Sequence, residues 1–168
     1  MSFFPEEVQT ETPSRYTKLG QGATKLRILG EPCFGYETWL EDEAGARKPK
    51  RFSLDQEYDQ SEVGPDGVKQ FMAVKVYNYN AKTIQVWQVT QKTILKALKM
   101  YTENEDYGDP RGYDVSITRT GEGKQTRYEV VASPPKAVSK EVKSADDKYE
   151  VEPELLLING DPFFNINK

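Results

Sequence analysis

Between residues 71 and 79 apolar and polar positions alternate without a slip. Met72, Val74 and Val76 fall on one face, and Phe71, Lys75, Tyr77 and Tyr79 on the other. A period of two is the mark of a strand with one face buried. Asn80, Ala81 and Lys82 make a short turn and residues 83–89 run back, so the pair reads as a β-hairpin. The period then changes. After Thr90, which stands where a cap belongs, Ile94, Leu95, Ala97, Leu98 and Tyr101 fall on one stripe and predict a helix to about Glu103. Gly108, Pro110 and Gly112 break the chain. Alternation returns in residues 113–120, with Val115 and Ile117 inward, and in residues 126–132, with Tyr128 and Val130 inward, about a turn at GEGK. Pro134 and Pro135 end this second hairpin.

Upstream, residues 23–29 (ATKLRIL) set Leu26 and Ile28 against Lys25, Arg27 and Leu29, which suits a strand. Residues 35–54 read as an extended insertion: GYETWLED, a polar loop through EAGARKPK, then RFSL. Residues 55–69 are rich in acids and turn formers and read as a loop. The order is strand, extended insertion, strand, strand, helix, strand, strand. One helix between the third and fourth of five strands is the order of the OB-fold, a mainly-β, five-stranded, partly open barrel. A two-hairpin α+β sheet fits the same pattern. The expected organisation is an N-terminal arm over residues 1–20, a barrel over 21–135, and an acidic tail over 136–168 that is able to bind proteins.

Composition narrows the chemistry. The 168 residues include no His and one Cys. That excludes Cys/His zinc sites, a His general base and an intramolecular disulfide, and it suits a reducing cytosol and a protein without catalysis or cofactor. No run approaches the roughly 18 apolar residues of a membrane span, so no membrane partner is expected. The net charge of −4 argues against nucleic acid until it is divided along the chain. Residues 1–24 carry −1, residues 137–168 carry −3, and residues 25–136 hold 17 bases and 17 acids. Within the neutral body Arg47, Lys48, Lys50 and Arg51 form a basic knot. Local patches, more than net charge, decide what docks.

On an OB frame the second and third strands face the ligand. Those strands offer Phe71, Lys75, Tyr77 and Tyr79, and the insertion adds Tyr36, Trp39, Arg47, Lys48, Lys50, Arg51 and Phe52. Aromatics beside bases suit single-strand binding: stacking is worth about 1–3 kcal/mol per base, and cations follow phosphates. Arg119, Lys124 and Arg127 extend this basic track around the second hairpin turn. For each of these the plainer alternative stays open, core packing for an aromatic and a solvated loop for a cation. Trp87 shares a face with Val89 and reads as core, with an added stacking platform as the alternative. Asp55, Glu57 and Asp59 would suit Mg²⁺ in an enzyme acting on nucleic acid, although acidic loops of this kind are commonly just solvated.

The stretch SRYTKLGQGATKLRILGEPCFGYETW resembles the opening of the single-stranded DNA-binding proteins of tailed bacteriophages. The segment from VKVYNYNAKTIQVWQVTQKTILKALKMYTENEDYGDPRGYDVSITRTGEGKQTRYEV resembles the same family, through its Thr-Gln-Lys-Thr-Ile helix start, its Tyr-Gly-Asp-Pro break and its Asp-x-x-Ile-x-Arg-x-Gly-x-Gly run. The resemblance spans about residues 14–135. It implies an OB-fold, sequence-independent binding of single-stranded DNA, and a role in phage replication, recombination and repair in the cytoplasm of the infected bacterium, as monomer or dimer. Carried over by position, the binding candidates are Tyr36, Trp39, Arg51, Tyr77 and Arg119. The family's acidic tails recruit replication or recombination proteins through Asp-Pro-Phe-like ends. Asp161, Pro162, Phe163 and Phe164 match this pattern, but four residues follow them, and docking of the tail back onto the barrel is the alternative. A protein-interaction module of a phage replication complex, without strong DNA binding, is the competing reading of the whole chain.

Overall fold

The computed structural model describes residues 14–164. The start of the expected arm, residues 1–13, and the four residues after Phe164 lie outside the described residues. The fold is mainly β. Seven strands form one open antiparallel sheet: β1 (Gly22–Ile28), β2 (Cys33–Glu41), β3 (Arg47–Ser53), β4 (Lys69–Asn78), β5 (Thr83–Val89), β6 (Asp114–Thr120) and β7 (Arg127–Ala132). Helix α1 (Lys92–Glu103) lies between β5 and β6, and α2 (Lys140–Lys148) follows β7.

β4 is the spine. One of its edges pairs with β5 from Met72↔Val89 to Asn78↔Thr83. The other edge is shared, β2 taking its first half (Glu37↔Lys69 to Cys33↔Ala73) and β1 its last residues (Ile28↔Val76 to Leu26↔Asn78). Residues 29–32, ending in a proline that has no N–H to give a ladder, separate the two partners. β6 then pairs with β1, and β7 with β6. The strand count of seven, rather than five, comes from residues 35–54. The two extended stretches of this insertion pair as a hairpin, β2 against β3, and so count as two further strands.

The predicted alternation decides the layers. Met72, Val74 and Val76 join Leu26, Ile28, Trp87, Val115 and Ile117 in the main core, which Ile94 and Leu98 of α1 close. Trp87 is 1% exposed and is a core residue. The cap of α1 differs from expectation: Gln91 stands at the cap position and makes no side-chain cap bond, so Thr90 does not serve. The opposite face of β4 and β5 is also buried, beneath the tail. Ser139 caps α2 through the Val142 N–H, and α2 sets Val142 against Tyr77 and Ile84. A 3-10 turn, Pro153–Ile158, then brings Leu156, together with Phe163, onto Phe71, Ala73 and Val86. Each such apolar side chain contributes about 1.5–3 kcal/mol when fully buried. Lys75 locks the arrangement by donating to the carbonyls of Asp146 (3.0 Å) and Tyr149 (2.6 Å) at the end of α2.

Two further elements depart from the pattern. Residues 15–17, expected to be a loose arm, lie parallel to β5, with Thr17 N–H donating to Val86 O (3.0 Å) and Val86 N–H to Arg15 O (2.9 Å). Arg27, on the polar face of β1, is buried instead of solvated. It donates to Asp114 (3.4 Å), Arg111 O (3.0 Å) and Lys136 O (2.7 Å), which ties the start of the tail to the sheet. Among the described residues no helix is long and apolar enough to cross a membrane.

Candidate nucleic-acid interface

The hairpin β2–β3 carries seven of the candidate residues, and it projects from the sheet. Beyond Glu37 the residues of β2 pair only with β3, in the register Thr38↔Lys50, Trp39↔Pro49, Leu40↔Lys48 and Glu41↔Arg47. Opposed residues share a face, so Tyr36, Lys48, Lys50 and Phe52 fall on one side, and Glu37, Trp39, Arg47 and Arg51 on the other.

The first side is largely closed by residues 55–68. Tyr58 stacks on Phe52 at 4.8 Å and tilts against Tyr36 at 5.9 Å. Glu62 takes Lys50 at 2.8 Å. Asp59 and Glu62 form a capping box around a 3-10 turn, Gln60–Glu62, which is where the acidic loop spends two of its carboxylates. Thr38 donates to Gly67 O and accepts from Gly64 N–H, both at 2.8 Å. A Cβ on Gly64 would sit 1.7 Å from Trp39 O, so only glycine allows this close approach.

The second side is open at its outer end, at Trp39 and Arg47, while Glu37 and Arg51 nearer the sheet are almost buried. Trp39 is 39% exposed, and its indole N–H donates to Glu37 Oε1 at 3.1 Å. The other Glu37 oxygen accepts from Arg51 Nε at 3.0 Å, and Arg51 also donates to Gln88 (3.2 Å) and lies 4.8 Å from the Phe71 ring centre. Glu37 therefore fixes both the indole and the guanidinium. The Arg47 guanidinium lies 5.8 Å from the Trp39 ring centre and pairs with Asp66 at 2.8 Å. Lys48 is exposed and has no ion pair among the described residues.

The remaining candidates lie elsewhere. Lys75, Tyr77 and Tyr79, expected on an open strand face, sit beneath the tail. Tyr77 is buried, with its hydroxyl donating to Glu141 at 3.3 Å. Burial and the Asp114 carboxylate, which accepts the Tyr79 hydroxyl at 2.8 Å, push the Tyr79 phenol up to about 12. Arg119 turns inward and donates to Leu19 O at 3.0 Å. Lys124 and Arg127 are exposed at the turn of the second hairpin. In the tail, Pro162 and Phe163 are buried, and Phe163 packs edge-on against Tyr16 at 5.6 Å with the Arg15 guanidinium 5.4 Å from its centre. Asp161 Oδ1 accepts from Phe163 N–H at 2.9 Å, and Phe164 lies at the surface.

Sequence reasoning missed a groove of about 780 Å³ between α1 and the β1–β2 break, lined by Phe34, Leu54, Met72, Val74, Leu95 and Leu98. Phe34 and Leu54 are about half exposed there. The available signal was the period of two, which puts Phe34 on the face of Tyr36. Among the described residues no three of His, Cys, Asp and Glu gather as metal ligands.

The fold and the hairpin define a mainly-β protein that presents an aromatic and cationic arm from an open antiparallel sheet. In comparisons with known proteins, no family model, curated protein or solved structure matches the chain.

Proposed function

We propose that the protein binds single-stranded DNA without sequence preference, and that the open side of the β2–β3 hairpin is where the strand lies. The observation that carries this reading is Trp39, an exposed indole held in place by Glu37 beside Arg47 and Arg51. A ring so fixed stacks on a base with little ordering cost, and the exposed Arg47 guanidinium beside it reaches a phosphate. The strand connectivity supports the OB assignment once β1 and β2 are taken as one strand interrupted at residues 29–32. The remaining order is then β4, β5, α1, β6, β7, with β3 as an added hairpin strand. Under this reading the chain acts as a non-catalytic coat protein in phage replication, recombination and repair, in the cytoplasm of the infected bacterium.

Fluorescence tests it directly, because Trp87 is buried and Trp39 is not. Oligo-dT quenches the wild-type signal in a salt-dependent titration, and Trp39→Phe loses the quenching. Absence of quenching together with no retention of single strands at low salt overturns the proposal. One observation favours a second reading, a protein-interaction module. It is the apolar groove beside Phe34 and Leu54. Capture of a replication protein in the absence of DNA, lost on Phe34→Ser, supports that reading.

A further inference from the structure

Beside Phe34 and Leu54 the apolar groove has a cationic rim. Leu95, Leu98 and Lys99 of α1 line it. Residues three and four apart on a helix are neighbours, so Lys92, Lys96 and Lys99 form one row leading along α1 to the groove. All three are exposed. Lys99 reaches Glu103 at 4.0 Å, and Lys92 and Lys96 have no ion pair among the described residues. The far rim holds Glu31, in the break, and Asp109, which pairs with Arg111 at 2.6 Å. An apolar lining next to a row of lysines fits a chain segment in which acids follow aromatic residues.

Residues 1–13, outside the described residues, have that composition. Their sequence is MSFFPEEVQTETP: Phe3 and Phe4, then Glu6, Glu7 and Glu11, with no Lys or Arg. Their reach is sufficient. Ser14 lies beside β5, its carbonyl accepting from Gln85 Nε2 at 2.8 Å. Met72, in the groove lining, pairs with Val89, four residues further along β5 than Gln85. The separation is therefore about 13 Å along the strands and about 10 Å across two strand spacings. The ten-residue step from Phe4 to Ser14 extends to about 33 Å, enough to round the start of α1.

We infer that Phe3 and Phe4 of each molecule dock in its own groove, with Glu11 at Lys92 and Glu6 and Glu7 at Lys96 and Lys99. The acids along the segment then meet the lysines in the order in which α1 presents them. Apolar burial against the half-exposed Phe34 and Leu54 holds the end of the segment, and the ion pairs fix its direction. A protein that uses the groove has to displace this segment first. The inference does not rest on DNA binding.

The test uses the full chain and a fluorescent peptide of residues 2–12, read by anisotropy. In F3S/F4S the groove is vacant. The peptide binds this variant about tenfold or more tighter than wild type, where the tethered segment competes at high effective concentration. Adding Phe34→Ser to F3S/F4S abolishes the binding, and adding K96E/K99E weakens it most at low salt. Circular dichroism confirms that each variant stays folded, as Phe34, Lys96 and Lys99 are exposed. No binding to F3S/F4S, equal binding to wild type and F3S/F4S, or binding that survives Phe34→Ser overturns the inference. So does a wild-type dimer in sedimentation velocity that F3S/F4S dissociates, since the segment then occupies a second copy.

Discussion

Replacing Asp114 by Asn removes a charge and almost no volume, and so isolates what the buried carboxylate does. Asp114 is fully buried and accepts from the Tyr79 hydroxyl at 2.8 Å and from Arg27 at 3.4 Å, with Lys136 at 3.3 Å and Lys25 at 3.6 Å. Arg27 is itself only 3% exposed. In the variant its guanidinium keeps two carbonyl acceptors but has no counter-ion. Leaving a buried charge unpaired typically costs about 3–5 kcal/mol. Urea unfolding of D114N is expected to show a loss of that size, with an unchanged slope. The double variant R27M/D114L, which removes both charges, is expected to lie closer to wild type than D114N does. The pH dependence supplies a second arm. Burial pushes the Asp114 carboxyl up, but hydrogen bonds from Tyr79, Arg27 and Lys136 outweigh it and leave it below the ordinary value. A carboxylate depressed on folding stabilises the native state above its unfolded pKa of about 3.9, and that stability is lost as pH falls through the folded value. Wild type therefore loses stability in acid more steeply than D114N. A loss under about 1 kcal/mol for D114N, or equal acid slopes, would refute the reasoning.

Phe163→Ala opens a cavity against Tyr16, Phe71 and Val86, and is expected to cost about 3–5 kcal/mol and to raise binding of an apolar dye, measured by urea unfolding and dye fluorescence. Burial and Asp114 push the Tyr79 phenol up to about 12, and burial also raises Tyr16, Tyr77 and Tyr113, so an ultraviolet titration is expected to show several late tyrosines with Tyr79 among them. Stability from Tyr79 is present below pH about 10 and lost as pH rises towards the folded value, and D114N moves its step down. Arg47→Ala reduces the salt slope of oligo-dT binding by about one, read from a salt series, whereas Lys48→Ala, on the other side of the hairpin, leaves it nearly unchanged. Asp66→Asn releases Arg47 from its acidic partner and is expected to tighten oligo-dT binding most at low salt.

What was legible in the chain was whatever depended on period. The alternation of residues 71–79 and the stripe of Ile94 and Leu98 anticipated β4 and α1, because burial on one side leaves a periodic record. Alternation says nothing about what covers the other side. Phe71, Tyr77 and Lys75 read as an outward platform, yet they are matched by Val142, Leu156 and Phe163 from a stretch more than sixty residues away. Arg27 was illegible for a related reason. A cation on a polar face signals solvent until its partner is known, and Asp114 lies 87 residues further on. The hairpin within residues 35–54 escaped because its turn is a polar loop without a two-residue signature. Of Asp55, Glu57 and Asp59, the candidate cation cluster in sequence, Asp59 is spent within the fold, capping a 3-10 turn together with Glu62.

The tail also changes the meaning of the charge along the chain. Residues 137–168 carry −3, and an acidic segment of this kind reads as a free competitor for a cationic surface. Here its apolar residues hold it on the sheet, Lys75 donates to carbonyls at the end of α2, and Lys136 at its root pairs with Asp114. A strand of DNA approaching the face of β4 and β5 would have to lift Val142, Leu156 and Phe163 together, and stacking on the two tyrosines beneath is worth only about 1–3 kcal/mol per base. The burial of those three side chains, at about 1.5–3 kcal/mol each, exceeds that return. The hairpin face requires no such displacement, since Trp39 is already exposed and already oriented by Glu37. On energetic grounds, then, the proposed function places a single-stranded ligand on β2 and β3 and not on β4 and β5, and the tail is packed as part of the fold.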